Sequence, residues 1–201
     1  MRWFFFILSC NVSQIPFVIL YRMDTELSHL IEGCRRQERK AQEALYKRYA
    51  PWLYRICLRI TANPAEAEEA MQDCVMKILT HINGFQESAS FSAWMQQIAV
   101  RTAIDYAKQQ KEIWEELPDN FPLADDSPAE EDDENIRYSV EQIKTGISKL
   151  PASARIILSL YLFEGYDTEE IATILHLQPA SVRSQYLRGK RKLVEMLRPK
   201  R

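Results

Sequence analysis

The chain has 201 residues, enough for one or two domains with modest cores. It holds only 5 Gly and almost no period-2 alternation, which excludes a strand-rich fold and predicts an all-α chain. A formal net charge of −2 argues against a protein that grips duplex DNA unaided, because phosphate neutralisation supplies most non-specific affinity. That average hides a partition, however. Residues 112–134 are rich in acid and contain no Lys or Arg, whereas residues 183–201 are strongly basic.

Residues 1–21 are apolar but interrupted by Asn11, Ser13, Gln14 and Pro16. The uninterrupted run 3–8 is too short to span a membrane. One Arg and no clean small-residue cleavage site make a poor secretory signal. Met23-Asp24-Thr25-Glu26 reads as a natural beginning, so residues 1–22 are expected to be a non-native or disordered extension.

A first helix is expected from Thr25, with Leu27, Leu30 and Ile31 inward. A second covers 42–60, with Leu45, Tyr46, Tyr49, Leu53, Ile56, Cys57 and Ile60 at helical spacing and Pro51 placed to kink or restart it. Asn63-Pro64 is a cap followed by a first-turn proline. It opens a third helix, 65–82, whose inner face carries Ala67, Ala70, Met71, Cys74, Val75, Ile78 and Ile82. Glu66, Glu69, Gln72, Asp73 and Lys77 remain outside.

Residues 83–90 form a loop, and Ser90 caps a fourth helix, 91–111. Its apolar stripe is Trp94, Met95, Ile98, Ala99 and Ile104, and Trp94 is read as core because aromatics at helical spacing are usually buried. Arg101, Thr102, Asp105, Lys108, Gln109 and Lys111 make its polar side, which alone is an ordinary solvated face. Repeated prolines and acidic runs then make 112–137 a flexible, self-repelling linker. From Tyr138 a helix resumes with Val140, Ile143, Ile147 and Leu150 as its inner stripe. Pro151 breaks it, another apolar helix covers 152–163, and Gly165 ends that one.

Residues 166–193 read as two short helices and a tight turn. Asp167 and Glu170 form a capping box, with Ile171, Ile174 and Leu175 on one face. Pro179 opens the second helix, which buries Val182, Tyr186 and Leu193 and presents Arg183, Ser184, Gln185, Arg188, Lys190, Arg191 and Lys192 elsewhere. A short apolar helix supporting a basic, hydrogen-bonding one is what a helix-turn-helix needs, since the second must face phosphates and base edges in a major groove. Cys10, Cys34, Cys57 and Cys74 lack a C-x-x-C pair and are expected to be reduced, and His29, His81 and His176 are isolated. No metal set, cofactor site or nucleophile–base pair is visible, so the chain is not read as an enzyme and no small-molecule substrate is expected.

The order of these features resembles the extracytoplasmic-function (group 4) sigma factors, the minimal sigma-70 family members that keep only the second and fourth conserved domains. AEAEEAMQDCVMKIL resembles the helix that binds core polymerase, FSAWMQQIAVRTAIDYAKQQK the promoter −10 segment, and LPASARIILSLYLFEGYDTEEIATILHLQPASVRSQYLRGKRKL the −35-binding domain. Similarity extends over residues 23–197. It implies an all-α fold of two helical domains, a region 2 bundle at 23–111 and a region 4 helix-turn-helix at 138–201, joined by the flexible acidic linker 112–137.

By the same resemblance, Glu66, Glu69, Gln72 and Asp73 face the β′ clamp helices of core RNA polymerase. Ser88 and Ser90 help to hold a flipped −10 base, and Arg101, Asp105 and Lys108 lie along the −10 strand. Arg183, Ser184, Leu187 and Arg188 enter the −35 major groove, with Lys190 and Arg191 on phosphates. The β flap of the polymerase, promoter DNA and an anti-sigma factor are the further partners implied, in the cytoplasm and with no cofactor. Arg101 stands where many members carry Asn, which leaves the preferred −10 base open. His176 stands at a common Gly position, and His tolerates positive φ better than most residues. The rival readings are a stand-alone helix-turn-helix regulator, which would bind duplex tightly by itself, and an interaction protein tethered to a membrane by residues 1–22.

Overall fold

A computed structural model of the chain describes residues 17–86, 90–109 and 138–198. The first domain contains α1 (Phe17–Arg35), α2 (Arg39–Thr61), α3 (Pro64–His81) and α4 (Phe91–Gln109), with one 3-10 turn at Ile82–Gly84. The second contains α5 (Val140–Ser148), α6 (Ala152–Leu162), α7 (Thr168–Leu175) and α8 (Pro179–Leu197). No strand occurs among the described residues.

In the first domain α2, α3 and α4 pack on one another through Leu45, Leu53, Ile56, Ile60, Ile78 and Met95, all fully buried. The inner face expected of α3 is buried throughout. Asn63 starts that helix by accepting from the Ala65 N–H at 3.0 Å, which satisfies one of its orphan donors. Pro51 does not restart α2, which stays continuous past it. The first helix begins at Phe17 rather than Thr25 and runs without a break past Met23.

Helix α4 differs from its expected pattern. Its buried face is Met95, Ala99, Val100, Ala103, Ile104 and Ala107, while Trp94 and Ile98 are half-buried. Ala99, Ala103 and Ala107 follow one another at i, i+4, and such small side chains let neighbouring helices approach. Thr102, expected on the polar side, is buried beside them and accepts from Lys77 Nζ at 3.1 Å.

In the second domain Ser139 and Gln142 close a capping box at the start of α5. Ile147 and Leu150 are buried as expected, but Val140 is 57% exposed, because as the first residue of α5 it lies beyond the packed turns. Helix α6 is apolar on several sides and buries Ile156, Ile157, Leu158 and Leu160. Gly165 adopts φ +79° just beyond it, the left-handed conformation that glycine takes without penalty. Cys34, Cys57 and Cys74 are buried free thiols.

The two domains touch. Ile156, Ile157 and Leu160 of α6 join the core built by the first domain. Arg155 Nε donates to the Ile60 carbonyl at 3.5 Å and Ser159 Oγ to the Arg59 carbonyl at 3.4 Å. The acidic linker expected over 112–137 lies outside the described residues, as do residues 1–16.

Candidate nucleic-acid interface

The α7–α8 corner is built by local rules. Asp167 accepts from the Glu170 N–H at 2.8 Å and Glu170 returns the contact to the Asp167 N–H at 2.9 Å. His176 ends α7 at φ 59°, ψ 42°, a left-handed C-cap occupied here without glycine. Pro179 then opens α8, where its missing N–H leaves no bond unmade.

Helix α8 lies close against α6 because position 189 is glycine. A Cβ there would come within 3.1 Å of Ala154 Cβ and 3.2 Å of Leu158 Cδ1. The buried face is Val182, Gln185, Gly189 and Leu193, so Gln185 is turned inward rather than presented, while Tyr186 is half-buried and packs at 4.6 Å on Tyr161. That inward turn follows from Gln185 sharing the i, i+3, i+4 spacing of its buried neighbours.

The opposite face carries Arg183, Leu187 and Arg188 in the open, with Ser184 half-buried beside them. Leu187 is 48% exposed, an apolar side chain among cations. Lys190 and Arg191 are exposed one turn on. Arg183 is ion-paired with Glu169 of α7, and Arg188 Nε donates to its own helix at the Ser184 carbonyl, 3.3 Å away. Exposed guanidinium groups beside a methyl-bearing side chain can pair with guanine edges and touch thymine methyls.

On the first domain, Arg101, Asp105 and Lys108 fall on one side of α4, the first two exposed and Lys108 half-buried. Ile98 and Trp94 continue the same strip toward the helix start, one and two turns before Arg101. Trp94 is half-buried, packed at 5.4 Å on Phe85 and 5.6 Å on Phe91. Ser90 is exposed at the start of α4 and accepts from the Ala93 N–H at 3.4 Å; its hydroxyl also meets Ser92 Oγ at 2.8 Å. Ser88 lies outside the described residues.

Glu69, Gln72 and Asp73 are exposed on α3. Glu66, grouped with them from the sequence, is half-buried, and its Oε1 accepts from Asn63 Nδ2 at 2.8 Å. Asp73 accepts from the Tyr106 hydroxyl at 2.6 Å, a bond that pushes the Tyr106 phenol up to about 12. A shallow groove between α2 and α3 is lined by Tyr46, Gln72, Met76 and Leu79. Met76 is 62% exposed and was not singled out from the sequence. Its position one turn beyond Gln72, off the apolar face of α3, was the available signal. Among the described residues no group of His, Cys, Asp and Glu could hold a metal ion.

Comparison with known proteins matches both halves. Residues 45–113 match the family model of Sigma-70 region 2, and residues 141–193 match that of Sigma-70, region 4. The chain is 25% identical over 182 residues to the RNA polymerase sigma-H factor of Pseudomonas aeruginosa, covering 85% of this chain and 93% of that protein. It is 27% identical over 156 residues to the ECF RNA polymerase sigma factor SigM of Bacillus subtilis, covering 75% and 91% respectively. With SigW of the same organism it shares 24% identity over 185 residues, covering 88% and 99%. Among solved structures, the sigma factor RpoE of Bartonella quintana, crystallised with the anti-sigma factor NepR, shares the fold with a TM-score of 0.50 at 20% identity, covering 79% of this chain and 98% of that one.

Proposed function

Because this chain belongs to the sigma-70 family, in its extracytoplasmic-function group, we propose that its two exposed polar helix faces are the promoter-reading surfaces of an RNA polymerase sigma factor. The chain directs core polymerase to specific promoters and nucleates melting of the −10 element for transcription initiation. It acts in the cytoplasm by binding rather than by catalysis. No described helix is long and apolar enough to cross a membrane. Residues 23–111 and 138–201 are the two working domains.

One observation carries the assignment of roles. The mixed strip on α4 and the basic face of α8 lie on two domains that match regions 2 and 4 in that order. Arg183, Ser184, Leu187 and Arg188 read the −35 major groove, Lys190 and Arg191 hold phosphates, and Arg101, Asp105 and Lys108 follow the −10 strand. Ser88 and Ser90 hold an unstacked −10 base, whose extrusion costs a few kcal/mol. Glu66, Glu69, Gln72 and Asp73 face the polymerase clamp helices, with Met76 and Tyr46 supplying apolar area beside them. The β flap receives the second domain, and an anti-sigma factor restrains the whole.

Run-off transcription with reconstituted core polymerase tests this reading. Arg188→Ala should lower transcription from a −35-dependent promoter about 10- to 100-fold, as the loss of one bidentate base contact implies, with core binding unchanged. Equal transcription by both proteins would reject the −35 assignment. Tight binding of isolated duplex without core polymerase would instead make the chain a stand-alone regulator.

A further inference from the structure

We infer that in the free chain the two domains latch onto one another through Glu164, and that the latch must open before both promoter elements can be read. Glu164 lies at the α6–α7 corner with its side chain only 3% exposed. Arg59, in the last turn of α2, donates to its Oε1 through Nε at 3.0 Å and forms an ion pair with it through Nη2. Gln96 of α4 donates through Nε2 to the Glu164 carbonyl at 2.8 Å and to Oε2 at 3.2 Å. The Arg59 guanidinium also sits 5.4 Å from the centre of the Phe163 ring. Both carboxylate oxygens and the main-chain carbonyl of one residue are thus satisfied by side chains of the other domain. A carboxylate buried without such partners is strongly disfavoured, so this position is stable only when the first domain supplies them.

The contact extends beyond the pin. Ile156, Ile157 and Leu160 bury their side chains against the first domain, and Arg155 and Ser159 bond to carbonyls at the end of α2. None of Arg59, Gln96 or Glu164 belongs to the promoter-reading or polymerase-binding sets. The latch therefore occupies a surface of its own.

The consequence for function rests on the sigma-factor reading. Gln96 touches Glu164, and Arg183 touches Glu169 five positions on, so the chain limits the separation of α4 and α8 at these points to about 45 Å. The −10 and −35 elements differ by about 25 base pairs in nominal position, or roughly 85 Å of straight duplex. One closed molecule cannot lie on both. Residues 110–137 are long enough to reach on the order of 90 Å when extended, so covalent connection permits opening.

Small-angle scattering on the full chain tests the latch. The wild type should be compact, Glu164→Lys should raise the radius of gyration by about a third, and the swap Arg59→Glu with Glu164→Arg should restore it. If Glu164→Lys loses helical circular dichroism, Gln96→Glu, which sets a second carboxylate beside Glu164, makes the same comparison. A wild-type chain already as expanded as the variant, or a swap that fails to re-compact it, overturns the latch. Holoenzyme assembly by Glu164→Lys should improve about three- to tenfold, because a closed population taxes apparent affinity. A compact wild type that opens on substitution yet directs no transcription would reject the function and leave the latch standing. A transcribing but extended wild type would do the reverse.

Discussion

Arg183 of α8 is held by an ion pair to Glu169 of α7, so a side chain proposed to read DNA is anchored on the helix that supports it. The same contact holds the Glu169 carboxyl below its ordinary range, the Arg183 hydrogen bond first and that from Thr168 second. To meet a phosphate or a guanine, Arg183 must exchange this carboxylate for the new acceptor. Glu169 itself repels the duplex.

Glu169→Gln should therefore tighten −35 binding by holoenzyme about three- to tenfold near 50 mM salt, with the gain shrinking near 200 mM as screening rises. Fluorescence anisotropy with a −35 duplex reads both. Protonation of Glu169 mimics the substitution, but the depressed pKa delays it to below the ordinary carboxylate range. The two proteins should consequently keep their difference from neutral to mildly acidic pH. The part of the gain due to relieved repulsion should survive in the Arg183→Ala background, and a gain wholly undiminished there would show that the pair is not its source.

The buried cysteines predict an alkaline weakness. Burial pushes the Cys57 and Cys74 thiols up to about 12, and Cys34 upward too. Between the unfolded thiol pKa, about 8.5, and those values the unfolded chain has released protons that the folded chain retains. Stability is then complete below the unfolded pKa and declines as pH rises through that window. Urea midpoints should fall from pH 8 to pH 10, and Cys57→Ala/Cys74→Ala should flatten the slope. Thiol-specific reagents at pH 8 should leave both residues unlabelled until the chain unfolds, because thiolates are the reactive form.

His176 sits at φ 59°, where a Cβ is disfavoured and glycine is not. His176→Gly should stabilise the second domain by about 0.5–1 kcal/mol, and His176→Val should destabilise it by about 1–2 kcal/mol, since a branched residue fits that region worst. Thermal unfolding of the full chain, followed by circular dichroism, distinguishes the signs. If both variants match the wild type, the turn does not hold this conformation.

Gly189 lets α8 approach α6, with Ala154 Cβ and Leu158 Cδ1 already within 3.1 and 3.2 Å of where a Cβ would stand. Ala154 has no rotamer through which to yield. Gly189→Val should cost about 1–3 kcal/mol by overpacking, despite the lower intrinsic helix propensity of glycine. It should also weaken −35 binding by displacing α8, whereas core binding through the first domain should persist. Wild-type stability together with wild-type −35 affinity would contradict the close contact.

The local devices were legible in the residues. Asn63-Pro64, the Asp167–Glu170 box, Gly165 and Pro179 each act through bonds or dihedrals within a few positions, so their spacing suffices to place helix ends. The apolar face of α3 was legible because one stripe meets one core. Pattern failed where a helix has more than one neighbour. Thr102 and Gln185 are polar residues at positions turned inward, and Trp94 lies half outside a face that it was expected to join.

By itself, then, the sequence determined the helices, the ends marked by caps and prolines, the grouping into regions 2 and 4 and the cationic face of α8, all properties of short windows. It did not determine the start of α1, which lies at Phe17 rather than Thr25. It contained no mark on Glu164, which stands in an ordinary acidic turn after α6. Only the tertiary structure decided that this carboxylate lies between Arg59 and Gln96, 105 and 68 positions earlier. The reason is physical. A charge buried between domains is stabilised by partners that no local periodicity can bring together, and they exist as a set only once both domains have folded and met.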